Sequence, residues 1–197
     1  MGNPRGEAPC VTADIDTLLR IRLGPVGGWR PTTLRSAAVV CPLVKCAAAD
    51  CVLLLVRPAN QRQHAGQIGF PGGMREGDES VEATARREFA EELGADASAL
   101  TALGELPPRT SSTGIHVHAV VARLQPVALV PDPREVARVL HVPLAALLDE
   151  ARWSERPAPL GAPGVQPATS PHFTIGADLL WGLTARFVRD LLAALRG

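Results

Sequence analysis

A stretch crowded with glycine and proline leads directly into a helical stretch in the middle of this chain. Residues 57–78 hold glycine or proline at seven positions, too many for a regular helix or strand, which predicts a long ordered loop. Residues 79–93 then carry apolar side chains at helical spacing, namely Val81, Ala85, Phe89 and Leu93. Asp78 can cap the start of this helix, and Gly94 can adopt the left-handed conformation that ends it. Because long loops in compact domains usually carry function, we expect the functional site here.

Three glutamates share one side of the predicted helix. Glu88, Glu91 and Glu92 stand at positions i, i+3 and i+4, within an arc of about 100°. With Phe89 at the centre of the buried face, Glu88 and Glu92 lie at its edge, and Glu91 points farther out. Like charges at this spacing repel, and a hard divalent cation would compensate because Mg²⁺ and Mn²⁺ prefer oxygen ligands. The alternative is a solvated acidic helix face, the usual explanation of an isolated Glu-x-x-Glu-Glu.

The residues around these glutamates form a wider pattern that favours the metal site. Eight positions are specified at fixed spacing: Gly73, five residues, Glu79, seven residues, Arg87-Glu88-Phe89, one residue, Glu91-Glu92, one residue and Gly94. The pattern over residues 73–95 resembles the Nudix box, with Ala95 where that family usually has a larger aliphatic residue. The resemblance implies an α/β fold, a Nudix-like α/β/α sandwich around a mixed β-sheet. It also implies an enzyme, a pyrophosphatase that hydrolyses a nucleoside diphosphate linked to another group.

The same resemblance assigns roles to the charged residues of the box. Glu88 and Glu92 would be the principal ligands of Mg²⁺ or Mn²⁺. Glu91 would be a third ligand or the base that acts on the attacking water. Arg87 would hold Glu79 or Glu88 in place by a salt bridge. On these roles, the loss of either principal ligand should nearly abolish turnover.

The loop before the helix contributes to the same site in this resemblance. The main-chain carbonyl of Gly72 or Gly73 would help to hold the metal. Such ions would bridge phosphate oxygens, neutralise charge on the leaving phosphate, and lower the pKa of a bound water for in-line attack on phosphorus. The box therefore predicts a metal-binding hydrolase with magnesium or manganese as its cofactor.

The segment upstream of the box carries a second pattern. A strand that ends at Arg57 leads through Arg62 into His-Ala-Gly-Gln-Ile-Gly-Phe-Pro-Gly-Gly at residues 64–73. This resembles the signature of the coenzyme A pyrophosphatase branch of the Nudix family, with Ala65 in place of the usual proline. The similarity covers most of the chain, from about residue 34 to 192. It implies hydrolysis of coenzyme A or acyl-CoA to adenosine 3′,5′-diphosphate and 4′-phosphopantetheine or its acyl form.

Coenzyme A carries an adenosine 3′-phosphate besides its diphosphate, so its site needs cations beyond the metal ions. Arg57 and Arg62 are candidates, and the alternative for each is a surface charge or a structural ion pair. Gln67 can hydrogen-bond the substrate or pin the loop. Phe70 can line the pantetheine path or pack in the core. The predicted partner is therefore a small nucleoside diphosphate.

Two other functions remain open. The box alone also fits a broader Nudix hydrolase that acts on ADP-ribose, NADH or nucleoside triphosphates. A Nudix-fold binding module without catalysis belongs to a different class. Such modules tend to lose the carboxylates of the box, whereas this chain retains Glu79, Glu88, Glu91 and Glu92, which favours the enzyme.

Short strands and helices are predicted on both sides of the box. Strands are expected at residues 34–44, 51–57, 101–106, 115–124, 136–142 and 173–175. Helices are expected at residues 13–23, 144–149 and 177–195, with Trp181 in the last, and a surface loop is expected at 156–171. We divide the chain into residues 1–33, an N-terminal tail and short helix, and residues 34–197, a single Nudix hydrolase domain.

Composition argues against several classes of partner. The chain has 20 Lys and Arg against 20 Asp and Glu and is 4% aromatic, so neither a basic surface nor a stacking platform for nucleic acid is expected. Without a run of roughly 18 apolar residues or a leader sequence, we expect a cytoplasmic protein with no membrane partner. The four cysteines lack the spacing of a zinc site and are predicted to be buried free thiols: Cys10, Cys41, Cys46 and Cys51. A monomer and a homodimer both remain open.

Overall fold

The computed structural model describes residues 14–47, 49–60, 64–158 and 169–196. Its helices are α1 (Ile15–Arg22), α2 (Val81–Leu93), α3 (Leu144–Leu148) and α4 (Gly182–Arg196). Its strands are β1 (Arg35–Cys46), β2 (Ala49–Val56), β3 (Ile68–Gly69), β4 (Gly72–Met74), β5 (Leu100–Thr110), β6 (Ile115–Leu124), β7 (Arg138–Pro143), β8 (Trp153–Pro157), β9 (Thr169–Ile175) and β10 (Asp178–Leu180). Short 3₁₀ turns occur at Ala97–Ala99 and Glu150–Arg152.

Seven strands form a mixed sheet, which confirms the predicted α/β class. The strand order is β3-β2-β1-β6-β5, with β4 also paired to β1 and β7 also paired to β2. Strands β1 and β6 are parallel, from Arg35 opposite Ile115 to Leu43 opposite Arg123. The other pairs among the described residues are antiparallel. The long strand β1 therefore contacts both β2 and β4, which lead the chain into the predicted site.

Alternate side chains of the central strands enter two apolar clusters on opposite faces of the sheet. On β2, Val52 and Leu54 belong to one cluster and Leu53 and Leu55 to the other, as the two-residue period of a strand requires. Helices α1, α3 and α4 pack in the first cluster and α2 in the second, which confirms helices flanking a mixed sheet. The predicted apolar stripe of α2 is at most 1% exposed: Val81, Ala85, Phe89 and Leu93. Each large side chain among them contributes about 1.5–3 kcal/mol by burial.

The start of α2 differs from the prediction. Asp78 was expected to cap the helix, but Ser80 is the cap, and its hydroxyl accepts a hydrogen bond from the backbone N–H of Ala83 at 3.1 Å. A turn just before the helix is the reason, because the N–H of Glu79 donates to the carbonyl of Glu76 at 3.1 Å. The chain therefore enters the helix two residues later than the spacing indicated.

The end of α2 agrees with the prediction and is covered by a later segment. Gly94 has φ 57°, in the left-handed region. The N–H of Val130 donates to the carbonyl of Leu93 at 2.7 Å, and that of Asp132 to the carbonyl of Glu92 at 2.9 Å. This segment satisfies the last carbonyls of the helix and brings its own charged residues to the predicted site.

The predicted loop at residues 57–78 contains two short strands, β3 and β4, although its glycines and prolines predicted no regular strand there. Strand β4 fits beside β1 because Gly72 has φ 153° and carries no Cβ. A Cβ at this position would overlap the carbonyl of Ala38. The N–H of Val40 donates to the carbonyl of Pro71 at 2.9 Å. The loop is thus anchored to the central sheet just before the pattern that begins at Gly73.

A second sheet lies in the C-terminal part of the chain and was not predicted. Strands β8, β9 and β10 form it, all antiparallel. The surface loop predicted at residues 156–171 was wrong at both ends, because β8 and β9 extend into it. Strand pairing from Trp153 opposite Phe173 to Pro157 opposite Thr169 holds those ends together. Residues 159–168 lie outside the described residues.

The last helix begins later than predicted. The expected helix at residues 177–195 starts only at Gly182, so the prediction that Trp181 lies on the helix was wrong. A tight turn at Gly176, with φ 60°, lets Asp178 pair with Ile175 and form β10 before the helix. Helical spacing alone could not reveal this hairpin.

The remaining elements agree with the predictions to different degrees. The helices α1 and α3 and the strands β1, β2 and β6 end within two residues of the predicted bounds. Strand β5 runs on to Thr110, with a register shift between Leu106 and Arg109 that accommodates two prolines. Strand β7 starts at Arg138 because Val136 is still held in a turn.

The described cysteines differ in burial. Cys41 and Cys51 are buried free thiols, as predicted, whereas Cys46 is partly exposed and Cys10 lies outside the described residues. Over the part of the chain that the structure describes, no helix is long and apolar enough to cross a membrane. Arg123 on β6 pairs with Asp16 on α1. The division of the chain at residue 33 stays a prediction.

Candidate active site

Helix α2 places the three glutamates of its C-terminal half at different depths. The side chain of Glu92 is 2% exposed, that of Glu88 14% and that of Glu91 58%. This order agrees with the helical period, because Glu88 and Glu92 flank the buried ring of Phe89. Two carboxylates therefore lie at the edge of the core and the third lies in solvent.

Glu92 is buried with little positive charge around it. Its Oε2 accepts a hydrogen bond from the backbone N–H of Gly72 at 3.0 Å, and its Oε1 lies 3.4 Å from Nη2 of Arg57. Burial raises the pKa of Glu92 to about 7, against the lowering effect of Arg57 and the Gly72 N–H. The charges of Glu88 and Glu135 raise it further. A buried carboxylate in these surroundings is stabilised by one more cation.

Glu88 lies directly against the backbone of Gly73. A Cβ atom at position 73 would overlap the Glu88 carboxylate, so any other residue would move that carboxylate away from the loop. Burial raises the pKa of Glu88, Arg87 opposes the rise, and Glu91 and Glu135 add to it. The loop backbone and the helix carboxylate thus meet at one point.

Arg87 is the centre of the polar network around the box. Its Nε donates to Oε1 of Glu79 at 2.8 Å, and its Nη2 donates to the carbonyl of Met74 at 2.9 Å. Its Nη1 donates to Oε1 of Glu88 and to Oε2 of Glu91, both at 2.9 Å. The sequence predicted a salt bridge to Glu79 or Glu88, and the structure contains both together with a third to Glu91.

Glu79 is the carboxylate that fixes Arg87. Hydrogen bonding from Arg87 lowers the pKa of Glu79 to about 2, against the opposing effect of burial. The hydroxyl of Thr84 donates to the same carboxylate at 2.8 Å, and the N–H of Glu76 donates to it at 3.2 Å. The indole Nε1 of Trp29 donates to the Glu79 carbonyl at 2.6 Å. Both the side chain and the backbone of Glu79 are therefore held in place.

The carboxylates of Glu88 and Glu92 fit a hard divalent ion. Mg²⁺ typically takes one or two protein carboxylates and fills its other positions with water and substrate phosphate oxygens. Within the described ranges, no three His, Cys, Asp or Glu side chains converge into a closed cage. The two deeper carboxylates lie beside the loop backbone, Glu88 at Gly73 and Glu92 at Gly72.

The sequence profile of the NUDIX domain family matches residues 33–160, more than half of this chain. The chain belongs to the Nudix family. It is 36% identical over 159 residues to the Uncharacterized Nudix hydrolase NudL of Photorhabdus laumondii, covering 80% of this chain and 83% of that protein. It is 34% identical over 161 residues to the protein of the same name from Yersinia pestis (strain Pestoides F), covering 81% of this chain and 79% of that protein.

Solved Nudix structures share its fold. The Nudix hydrolase RenU from M. smegmatis is 26% identical and superposes with a TM-score of 0.50, covering 64% of this chain and 81% of that one. A MutT/nudix family protein from Enterococcus faecalis superposes with a TM-score of 0.55, covering 82% of this chain and 62% of that one. It is 17% identical and shows the fold alone. The chain is a Nudix hydrolase, an enzyme of pyrophosphate hydrolysis. Nudix enzymes typically use a divalent metal ion and bind nucleoside-diphosphate substrates.

The four residues predicted to bind substrate have different surroundings in this Nudix hydrolase. Arg57 lies beside the buried carboxylate of Glu92 with 29% of its side chain exposed. Oε1 of Gln67 lies 2.9 Å from Nδ1 of His64, and its carbonyl accepts the Arg57 N–H at 3.0 Å, so Gln67 pins the loop. Phe70 is 4% exposed and packs in the core, which leaves almost no ring surface for a ligand. Arg62 lies outside the described residues.

Two residues beside the Nudix box were not predicted. Glu135 is close enough to raise the pKa of both buried carboxylates, and Trp29 donates to the Glu79 carbonyl. Glu135 is brought there by the bond from Asp132 to the end of α2. Neither residue is near the box in sequence, so no local spacing could indicate it.

Proposed function

We propose that this Nudix hydrolase cleaves the diphosphate bond of coenzyme A or acyl-CoA. The products would be adenosine 3′,5′-diphosphate and 4′-phosphopantetheine or its acyl form. The observation that carries the proposal is the contact between the coenzyme A signature segment and one carboxylate of the box. Arg57 at the start of the segment and Gly72 near its end lie 3.4 Å and 3.0 Å from the two oxygens of Glu92. The segment on which the resemblance depends therefore forms a wall of the carboxylate site.

Glu88 and Glu92 are the metal ligands in this proposal. Both side chains are largely buried, and burial raises the pKa of each carboxylate, so a cation beside them is favourable. When bound, Mg²⁺ or Mn²⁺ supplies charge neutralisation at the diphosphate and a more acidic water. Arg57 can donate to a phosphate oxygen while Glu92 keeps its guanidinium oriented.

Glu91 is the proposed base. Its carboxylate is 58% exposed, so a water molecule can reach it, and Arg87 Nη1 fixes its direction through a hydrogen bond of 2.9 Å. Arg87 and Glu79 act as positioning residues, because they hold the carboxylates without needing to touch substrate. In this arrangement a carboxylate in solvent accepts the proton and two carboxylates at the core edge hold the ion.

Product analysis with single substrates tests the proposal. Coenzyme A, acetyl-CoA, ADP-ribose and NADH are incubated separately with the enzyme and Mg²⁺ or Mn²⁺, and products are identified by mass spectrometry. We expect coenzyme A to yield adenosine 3′,5′-diphosphate and 4′-phosphopantetheine. Turnover of ADP-ribose or NADH without turnover of either CoA substrate would favour the broader Nudix hydrolase. No turnover of any of them, nor of nucleoside triphosphates, would favour a binding module.

Matched variants on the same helix separate the carboxylate roles from general damage. Glu88→Gln and Glu92→Gln keep the shape but remove a charged ligand, so activity should fall by more than about 100-fold. Glu82→Gln is the control, because Glu82 lies on α2 and pairs only with Arg86 among the described residues. Its activity should stay within about twofold of the wild type. Retained activity in both ligand variants would contradict the assignment.

A further inference from the structure

A cleft of about 460 Å³ opens where the chain enters β1. The segment before this strand and the end of β4 line it, including Trp29, Arg30, Arg35, Met74 and Arg75. The two sides are joined because the N–H of Arg75 donates to the carbonyl of Ser36 at 3.0 Å. The cleft is therefore built on paired backbone at the beginning of the central strand β1.

Three arginines line this cleft, and none of them has a carboxylate within salt-bridge distance among the described residues. Most described arginines donate to a carboxylate or a backbone carbonyl. Four arginines in the part of the chain that the structure describes donate to neither. Three of them line the cleft, Arg30, Arg35 and Arg75, and the fourth is Arg156. Glu105 lies near enough to Arg30 for an electrostatic interaction but outside salt-bridge distance, so three like charges without a direct ion pair in the described ranges remain to attract an anion.

Trp29 orients one of these cations. The guanidinium of Arg75 lies 5.4 Å from the centre of the Trp29 ring, within the range of a cation–π contact. The Trp29 indole is fixed in turn by its hydrogen bond of 2.6 Å to the Glu79 carbonyl. Arg75 is thus directed by a residue that is itself tied to the Nudix box.

The cleft is next to the candidate active site. Met74 lines the cleft, and its carbonyl accepts a hydrogen bond from Arg87 at 2.9 Å. Arg75 follows Gly73 by two residues, about 7 Å of extended chain at about 3.3 Å per residue. A substrate whose diphosphate lies at Gly73 therefore has the cleft within reach of the group attached to that diphosphate.

We infer that this three-arginine cleft binds a phosphate monoester on the nucleotide half of the substrate. A phosphate monoester carries between one and two negative charges and three strong acceptor oxygens, which guanidinium forks bind well. The identity of the substrate rests on the proposed function, in which this group is the 3′-phosphate of adenosine. The cleft then distinguishes coenzyme A from dephospho-CoA and ADP-ribose, which lack that phosphate.

Kinetics of charge-removal variants provide the first test. Arg30→Ala and Arg35→Ala in the full chain should each lower kcat/KM for coenzyme A by about tenfold, mainly through KM. Their kcat/KM for dephospho-CoA should change by less than about twofold, because this substrate has no 3′-phosphate for the arginines to contact. Arg156→Ala is the matched control, an exposed arginine on β8 without a carboxylate partner among the described residues, and should leave both values unchanged. Equal losses for both substrates, or none, would overturn the inference.

Binding without turnover separates this inference from the proposed function. Calorimetric titration in EDTA compares adenosine 3′,5′-diphosphate with 5′-AMP. We expect the bisphosphate to bind about tenfold more tightly, with the preference lost in Arg35→Ala and kept in Arg156→Ala. That preference without coenzyme A turnover would support the cleft and reject the proposed function. Coenzyme A turnover with no preference would reject the cleft alone.

Discussion

The carboxylate of Glu88 packs against the backbone of Gly73 so closely that a Cβ at position 73 would overlap it. The contact joins the loop that precedes the Nudix box to the helix that carries its glutamates. It explains in steric terms why the box begins with glycine, since any Cβ would push the carboxylate away from the loop. The position of one proposed metal ligand therefore depends on a residue that has no side chain.

Replacing this glycine should damage the site without unfolding the protein. In Gly73→Ala the new methyl group displaces Glu88, so we expect kcat to fall by at least about tenfold. Gly24→Ala is the control, because a Cβ at position 24 meets no atom within 4 Å. Circular dichroism and steady-state kinetics check both variants. Wild-type kcat in Gly73→Ala would show that the contact does not position Glu88.

Burial of Glu92 should make the metal-free protein less stable as pH rises. Burial raises its pKa from the usual 4.5 to about 7, so between these values the folded state binds a proton that the unfolded state has released. By linkage, the free energy of unfolding falls across this window, by up to about 3 kcal/mol. Urea unfolding in EDTA at pH 5 and pH 8 measures the effect.

Two variants isolate the contribution of Glu92 from that of other ionisable groups. Glu92→Gln cannot ionise, so the fall in stability between pH 5 and pH 8 should be smaller than in the wild type. Glu91→Gln changes a carboxylate that is 58% exposed and should keep the wild-type pH dependence. If Glu92→Gln had the same pH dependence as the wild type, Glu92 would not be the source.

Metal binding should stabilise the protein more as pH rises, whereas the metal-free protein becomes less stable as pH rises. Protons compete with the ion for Glu92, whose pKa is raised to about 7, so Mn²⁺ should raise Tm more at pH 8 than at pH 6. Thermal denaturation at fixed Mn²⁺ concentration, with and without EDTA, measures the shift. A shift of equal size in Glu92→Gln would place the ion elsewhere.

Loss of Arg87 should affect catalysis more than substrate binding. Arg87→Ala leaves the carboxylates of Glu79, Glu88 and Glu91 without their shared cation, so we expect kcat to fall about 10- to 100-fold. Stability should fall by about 1–3 kcal/mol. Arg87→Lys should recover much of the stability but little of kcat, because an ammonium cannot form the same fork of hydrogen bonds. Kinetics and urea unfolding measure the two effects, and a change confined to KM would contradict a positioning role.

Much of the central helix could be predicted from the sequence because its information is local. The helical period indicated the buried stripe through Phe89 and the relative depth of Glu88, Glu92 and Glu91, and the structure has the same order of burial. Gly94 ended the helix as expected, since a left-handed residue favours glycine. These features depend on neighbours within one or two turns.

Features that depend on distant residues could not be predicted. Asp78 and Ser80 are both good caps, and the turn before the helix decides for Ser80. Glu135 reaches the carboxylates only because the segment after β6 binds the end of α2. The hairpin at Gly176 converts the first part of an apparently helical stretch into β10. In each case tertiary contacts override a pattern that was compatible with more than one structure.

A competition assay tests the central claim most directly. Coenzyme A and ADP-ribose are mixed in equal concentration with the enzyme and Mn²⁺, and both sets of products are followed by mass spectrometry. The ratio of the two rates then gives the ratio of kcat/KM values. We predict that adenosine 3′,5′-diphosphate and 4′-phosphopantetheine form faster than AMP and ribose 5-phosphate, and that Glu92→Gln forms neither set. Preferential cleavage of ADP-ribose would contradict the assignment of coenzyme A as the substrate.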